Sequence, residues 1–416
     1  MGYYVAILNR ASLMIMQYAL HPIVFLVANL LLFICFNISN DSLSMREFLV
    51  IYTPLIFAIL YILPILKVSF KPINFRASNL VAKSFAYLSI LLSIMIFFSI
   101  IELSTSFGGI GNFLSLIISG GIFTIYVQNN LSKFPIIVQL GVFCWVFIPA
   151  IISIIYTDFL MNNRNKKLVF FSILVSFAAL LSVSWLLSAR IIFVYALFSI
   201  VVSKIMASLE KPISKRDIYL MASVLAALVF YLFIGQLYNK GDSSLNVNSG
   251  SQIIFNYYFR SLDNGIHVID TMEEPRNKGY WTSRTFLNMP LVGKRIQEFY
   301  KYYIDNIPIN SRKDDFSYAR NLGVDPKYNT FSMPGYMYLD YGVWSVLILS
   351  IFWILFIILY KASLNISPYF SAIYSVMIVT AIDYSRTATI FSDYGIYSFI
   401  VFIIYCLLSG MRWRHA

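Results

Sequence analysis

Arginines and carboxylates set between long apolar runs are the groups of this chain that could do chemistry. Arg190 sits in a very short link between two such runs and Arg386 in another, while Arg260, Arg276, Arg284, Arg295, Arg312 and Arg320 fall in a polar stretch of 104 residues, 238–341. A guanidinium is planar and permanently charged, and its fork of donors matches phosphate oxygens. Two or three of them at a membrane surface could hold a lipid-linked pyrophosphate; each could also snorkel to the interface or pair with Asp383 or Asp393. Asp340 stands where the polar stretch gives way to the next apolar run, in Tyr336-Met337-Tyr338-Leu339-Asp340-Tyr341-Gly342, among aromatic rings suited to sugar faces. A carboxylate there could take the proton of an attacking hydroxyl, or it could cap a helix or join an ion pair. His267 and Asp263 share a helical face with Arg260, which suits a base or a solvated stripe. Tyr384, beside Arg386, is singled out by position together with Tyr336, Tyr338 and Tyr341.

The elements that must position these groups follow from composition. Of 416 residues, 59% are hydrophobic and 12% charged, against about 25% charged in a soluble protein, and the mean hydropathy is +0.74. A soluble fold is excluded. Apolar runs near the length of a bilayer-crossing helix predict ten spans, at 18–38, 48–66, 85–101, 136–156, 168–187, 191–205, 219–237, 342–360, 366–383 and 395–410. The expected architecture is an all-α polytopic membrane protein with an N-terminal bundle (1–237), one large external loop (238–341) and a C-terminal bundle (342–416). The first run is longer than a signal-peptide core and has no small-residue cleavage site, so it reads as a retained helix.

Net charge is +12, but the basic residues follow the loops and do not form a nucleic-acid face. With the N-terminus inside, one side collects Arg10, Lys67, Lys71, Arg76, Lys83, Arg164, Lys166, Lys167, Lys211, Lys215, Arg216, Lys361, Arg412 and Arg414. Short segments on the other side hold only Arg46, Lys133, Arg190 and Arg386. Both termini are therefore expected in the cytoplasm. Residues 107–127 are apolar enough to cross, yet carry Gly108, Gly109, Gly111, Gly120 and Gly121; they read as a re-entrant or interfacial segment on the outer side.

The long loop holds 12 Lys+Arg and 11 Asp+Glu and has helical periodicity. Ile253, Tyr257, Leu262, Ile266 and Ile269 recur on one face, with Asn256, Arg260, Asp263, His267 and Asp270 opposite, which predicts an amphipathic helix on the bilayer or the bundle. A second is expected over 293–305, with Ile296, Phe299, Tyr302 and Tyr303 together. No phosphate-binding GxxxxGK[ST] loop, HExxH or CxxC occurs; His21, His267 and His415 are far apart, and the three cysteines lie in apolar runs. Neither a metal nor another cofactor is expected. Asp-x-Asp is absent, against metal- and nucleotide-sugar-dependent transfer, and there is no internal repeat of the kind that builds duplicated transporters.

Asn329-Thr330-Phe331 followed by Gly335-Tyr336-x-Tyr338-x-Asp340-Tyr341-Gly342, together with Ser188-Ala189-Arg190 in a mid-chain link, resembles the oligosaccharide repeat-unit (O-antigen, Wzy-type) polymerases of bacterial inner membranes. The span number and the late external loop agree with that resemblance over most of the chain. It implies a metal-independent, GT-C-like glycosyltransferase that moves a growing glycan from undecaprenyl pyrophosphate onto a lipid-linked repeat unit at the periplasmic face. It also implies roles: Arg190, Arg260, Arg284 and Arg386 on the pyrophosphate, Tyr336, Tyr338 and Tyr384 on the glycan, and Asp340 or His267 at the acceptor hydroxyl. The implied partners are the chain-length regulator and flippase of the same pathway. An O-antigen ligase shares this architecture and is disfavoured by the Tyr-x-Asp-Tyr-Gly passage. A lipid-linked oligosaccharide flippase is disfavoured because the spans are nearly free of charge.

Overall fold

The computed structural model describes residues 19–40, 44–68, 73–74, 79–119, 133–187, 191–207, 247–272, 278–287, 289, 292–303, 330–409 and 412–413. Apart from one two-residue antiparallel pairing, the regular structure of these residues is helical. The helices are α1 (Pro22–Asn40), α2 (Met45–Lys67), α3 (Asn79–Thr105), α4 (Ile110–Ser119), α5 (Ile136–Asn162), α6 (Lys166–Leu186), α7 (Ile191–Ala207), α8 (Val247–Thr271), α9 (Tyr280–Leu287), α10 (Gly293–Tyr303), α11 (Met333–Tyr341), α12 (Ser345–Lys361), α13 (Ser371–Ile382) and α14 (Asp393–Leu408).

Five stretches are long and apolar enough to cross a bilayer: α2, α3, α5, α6 and the combined Met333–Ile366 that holds α11 and α12. Shorter apolar helices coincide with α1, α7, α13 and α14. Each expected span except 219–237, which lies outside the described residues, falls on one of these helices.

The packing explains why the spans read as uniformly apolar. On α3, Leu80, Leu91, Ile94, Phe98 and Ile101 face outward, whereas Ser89, Ser93 and Ser99 are buried. Lipid solvates the leucines, so helices associate through small and hydroxyl-bearing residues that let backbones approach. Ser176 of α6 bonds Ser89 at 2.5 Å and Ser93 at 3.1 Å. Ser99 donates to the Ile137 carbonyl of α5 at 3.0 Å, where Gly141 leaves the space a Cβ would otherwise contest with Ser99 Oγ.

Departures from α-geometry have covalent causes. Pro54 and Pro149 lack the N–H that an α-helix needs, and just before each the helix shifts, to a π turn at Phe48–Tyr52 and a 3₁₀ turn at Cys144–Phe147. The glycine-rich segment after α3 breaks at Gly108 and Gly109, with φ of 82° and 98°, before the ten-residue α4. At about 1.5 Å per residue, ten residues are too short to cross a bilayer. Residues 120–132 of that segment lie outside the described residues. Gly342 (φ 56°) separates α11 from the 3₁₀ turn that opens α12.

Two contacts tie the chain at one end of the bundle. Ile73 pairs with Trp413 and Asn74 with Arg412. Lys361, named above among the loop cations, is instead buried: its ammonium donates to the Ile65 carbonyl at 3.1 Å and to those of Leu66 and Val68, capping the C-terminus of α2.

The amphipathic helix of the loop packs on the bundle. Leu262, Ile266 and Ile269 of α8 enter the same core as Phe33 (α1), Leu55 (α2), Trp353 (α12) and Tyr374 (α13), and Arg260 and Asp270 are exposed. The second expected helix is α10.

Candidate functional site at one end of the bundle

Helix α8 crosses α11 where both carry glycine. A Cβ on Gly335 would lie 2.7 Å from the Gly265 Cα, and one on Gly265 would lie 2.1 Å from Ser332 Oγ. Ser332 caps α11 by accepting the Gly335 N–H at 3.3 Å, while its own N–H donates to the Ser261 carbonyl at 3.0 Å. The Met333 N–H reaches the Tyr384 carbonyl at 2.8 Å. The start of α11 is thereby fastened both to the loop helix α8 and to the turn after α13.

Asp340, the principal candidate base, is 2% exposed. Its Oδ1 accepts the Trp281 N–H at 3.0 Å and its Oδ2 the Thr282 N–H at 2.9 Å. These are orphan donors of the first turn of α9, preceded by Gly279 with φ 86° and no capping side chain. Asp340 supplies the missing cap from another helix, with its negative charge at the positive end of the α9 dipole. Next to it, Tyr341 and Thr282 share a hydroxyl hydrogen bond.

The aromatic candidates lie inside. Tyr336 packs against Trp281 at 4.5 Å and edge-on to Phe331 at 5.3 Å. Tyr338 donates to the Met272 carbonyl at 2.9 Å, and Tyr384 is enclosed by Phe33, Phe352 and Trp353. On the outer side of Trp281, the half-buried Arg284 places its guanidinium 5.3 Å from the ring centroid, a cation–π stack that leaves its N–H edge available to an anion. Thr285 donates to the Phe391 carbonyl at 3.1 Å and so ties α9 to the 383–391 turn.

That turn is organised by the buried Asp383. Its carbonyl accepts the N–H of Arg386 at 2.8 Å and of Thr387 at 2.7 Å. Its carboxylate meets Arg386 at 3.3 Å and Thr389 at 3.4 Å. Arg386 thus has the carboxylate neighbour that its sequence context allowed. Arg260 pairs with Asp263 at 3.4 Å in the open, with side chains 54% and 44% exposed, where such a pair contributes little. His267 is half-buried one turn before Asp270. Arg190, Arg276, Arg312 and Arg320 lie outside the described residues.

The first turn of α2, with Ser44 before it, adds contacts that sequence reasoning did not assign. Arg46 donates to the Met272 carbonyl at 3.1 Å and the Asp270 carbonyl at 3.4 Å, capping α8. Ser44 donates to the Asp270 carboxylate. Glu47, 2% exposed, lies beside the Asp270 carboxyl group. The legible signal was Ser44-x-x-Glu47, a capping-box spacing; Ser44 Oγ does accept the Glu47 N–H, at 3.1 Å, but the Glu47 side chain turns to the loop helix.

Arg46, Arg284 and Arg386, the buried Trp281 and four carboxyl groups thus belong to one hydrogen-bonded set of elements at one end of the bundle. Of the three arginines, Arg46 meets backbone carbonyls, Arg386 meets the Asp383 carboxylate and Arg284 stacks on an aromatic ring. Among the described residues no group of three or more His, Cys, Asp and Glu could hold a metal ion. No family model matches the chain, and neither a curated protein nor a solved structure is found to match it.

Proposed function

We propose that the chain is a repeat-unit polymerase of a bacterial cytoplasmic membrane, with both termini in the cytoplasm. It passes a growing glycan from undecaprenyl pyrophosphate to the non-reducing end of an incoming lipid-linked repeat unit at the periplasmic face. The observation that carries this reading is the joining of α8, α9, α11 and the 383–391 turn into one unit, through Met333 to Tyr384, Thr285 to Phe391 and Asp340 to Trp281. That unit sets Arg284 on Trp281 and Arg386 on Asp383.

In the reaction, the acceptor hydroxyl oxygen bonds to the anomeric carbon of the donor sugar as the bond from that carbon to the pyrophosphate oxygen breaks. The arginines offset the charge that develops on the leaving pyrophosphate, and inversion at the anomeric carbon is expected. The hydroxyl proton passes to Asp340 or His267. The chain-length regulator and flippase of the pathway are the proposed partners.

Deleting the gene in its host and sizing the surface and lipid-linked glycans tests the reading. Collapse of the ladder to one repeat unit on its terminal acceptor supports it. Polymer persisting on undecaprenyl pyrophosphate points to a ligase, and single units accumulating on the cytoplasmic side point to a flippase; either overturns it. In a complemented strain, Arg284→Ala should shorten the polymer at unchanged protein level, and Arg284→Lys should restore it only in part, because lysine lacks the planar fork.

A further inference from the structure

Two carboxyl groups meet where the first turn of α2 packs on the last turn of α8. Ser44 Oγ accepts the Glu47 N–H at 3.1 Å and donates to the Asp270 carboxylate, which holds Asp270 beside the Glu47 side chain. Glu47 is buried, Ser44 half-buried and Asp270 exposed. The pair therefore has a dry side and a side open to water.

No positive charge answers these two groups. Among the described residues neither carboxyl group belongs to an ion pair. Arg46, next to Glu47 in sequence, directs its guanidinium to the carbonyls of Asp270 and Met272 instead. Like charges this close disfavour each other. Glu47 Oε2 is moreover buried without a hydrogen-bond partner, a costly state for a carboxyl oxygen. A proton shared with Asp270 would serve one oxygen of Glu47 and leave Oε2 as it is, whereas a cation gripped by both oxygens serves the two together.

We propose that Glu47 and Asp270 bind a divalent cation, Ca²⁺ in preference to Mg²⁺, that clamps the loop helix α8 to the start of α2. The donors are hard oxygens, which suit these ions and not the softer transition metals. Ca²⁺ accepts bidentate carboxylates in irregular geometry, while Mg²⁺ demands an octahedron; water reaching the exposed Asp270 fills the remaining positions. Two protein carboxylates make a weak site, in the ~10⁻⁴–10⁻³ M range of extracellular calcium modules. The ion is structural and takes no part in glycosyl transfer, so this inference is independent of the polymerase reading.

The test uses the full chain in a neutral detergent, stripped of divalent ions with EDTA. Calcium chloride at saturation should raise the melting temperature by about 2–4 °C. Asp270→Asn, a surface change, and Glu47→Gln should each lose the rise, while Asp263→Asn, at the exposed pair with Arg260, should keep it. A wild-type melting temperature unmoved by calcium overturns the proposal, as does a rise that survives both substitutions. Stability that grows on acidification and ignores calcium also overturns it and gives the pair a proton instead. Terbium luminescence supplies a second readout that depends on no variant. Tyr52, a neighbour of Glu47, should sensitise a terbium ion bound there, with emission that saturates and is chased by calcium; wild-type protein without such emission removes the site.

Discussion

The carboxylate of Asp340 accepts the backbone N–H of Trp281 at 3.0 Å although 59 residues separate them in sequence. One side chain of α11 therefore starts another helix, α9, and holds in place the tryptophan on which Arg284 stacks. An amide in its place keeps one acceptor oxygen where the carboxylate has two, and it loses the charge at the helix N-terminus. Asp340→Asn should lower stability by about 1–2 kcal/mol, read as a lower melting temperature in detergent. If Asp340 is also the base, Asp340→Asn abolishes polymer even at temperatures where the variant is folded; polymer retained there assigns it to capping alone.

Lys361 bridges α12 to the last carbonyls of α2. Lys361→Met removes the donors and leaves buried carbonyls unsatisfied, at about 2–3 kcal/mol. Thermal unfolding should show the loss, and limited proteolysis should cut first in the link after Lys67. Lys361→Arg should recover part of the stability, since the charge at the C-terminal end of the helix dipole is kept.

The Gly265 and Gly335 crossing leaves no room for a methyl group. Gly335→Ala should push α8 from α11 and cost about 1–3 kcal/mol by overpacking, whereas alanine at Gly109, with no atom near the added Cβ, meets only backbone strain at its positive φ. Comparing the yields of folded protein for the two substitutions separates crowding from backbone strain.

His21 accepts the Ile23 N–H through Nδ1 at 3.2 Å and packs edge-on to Tyr360 at 4.8 Å. Burial holds its pKa below the ordinary value of 6.5. Because the unfolded chain binds this proton more readily, its contribution is complete above pH 6.5 and is lost as the pH falls through the lower, folded-state value. Melting temperatures compared at about pH 8 and about pH 5 should drop less for His21→Asn, which keeps an acceptor but does not titrate. An equal drop in both proteins assigns the pH dependence elsewhere.

Much of the fold was legible because each such feature is local. Helix positions follow from apolar runs that only lipid or a buried core can accommodate, the α8 amphipathic stripe from its 3.6-residue period, and the break at Gly108 and Gly109 from glycine's freedom at positive φ. What the polar groups do was less so. Asp340 reads as a cap or a base, and the helix it caps is not its own; Lys361 reads as a loop cation and turns inward; Glu47 reads as half of a capping box and reaches the loop helix instead.

By itself, then, the sequence determined where the described helices lie, which of them suit lipid, and that α8 and α10 are amphipathic. Only the tertiary structure decided which carboxylate meets which helix end, that Arg284 lies on Trp281, and that Ser176 of α6 meets Ser89 and Ser93 of α3. The reason is physical. Periodicity and hydropathy are properties of neighbouring residues, whereas a hydrogen bond between residues far apart depends on how the helices cross. At α8 and α11 that crossing rests on the absence of a single methyl group at Gly265 and at Gly335.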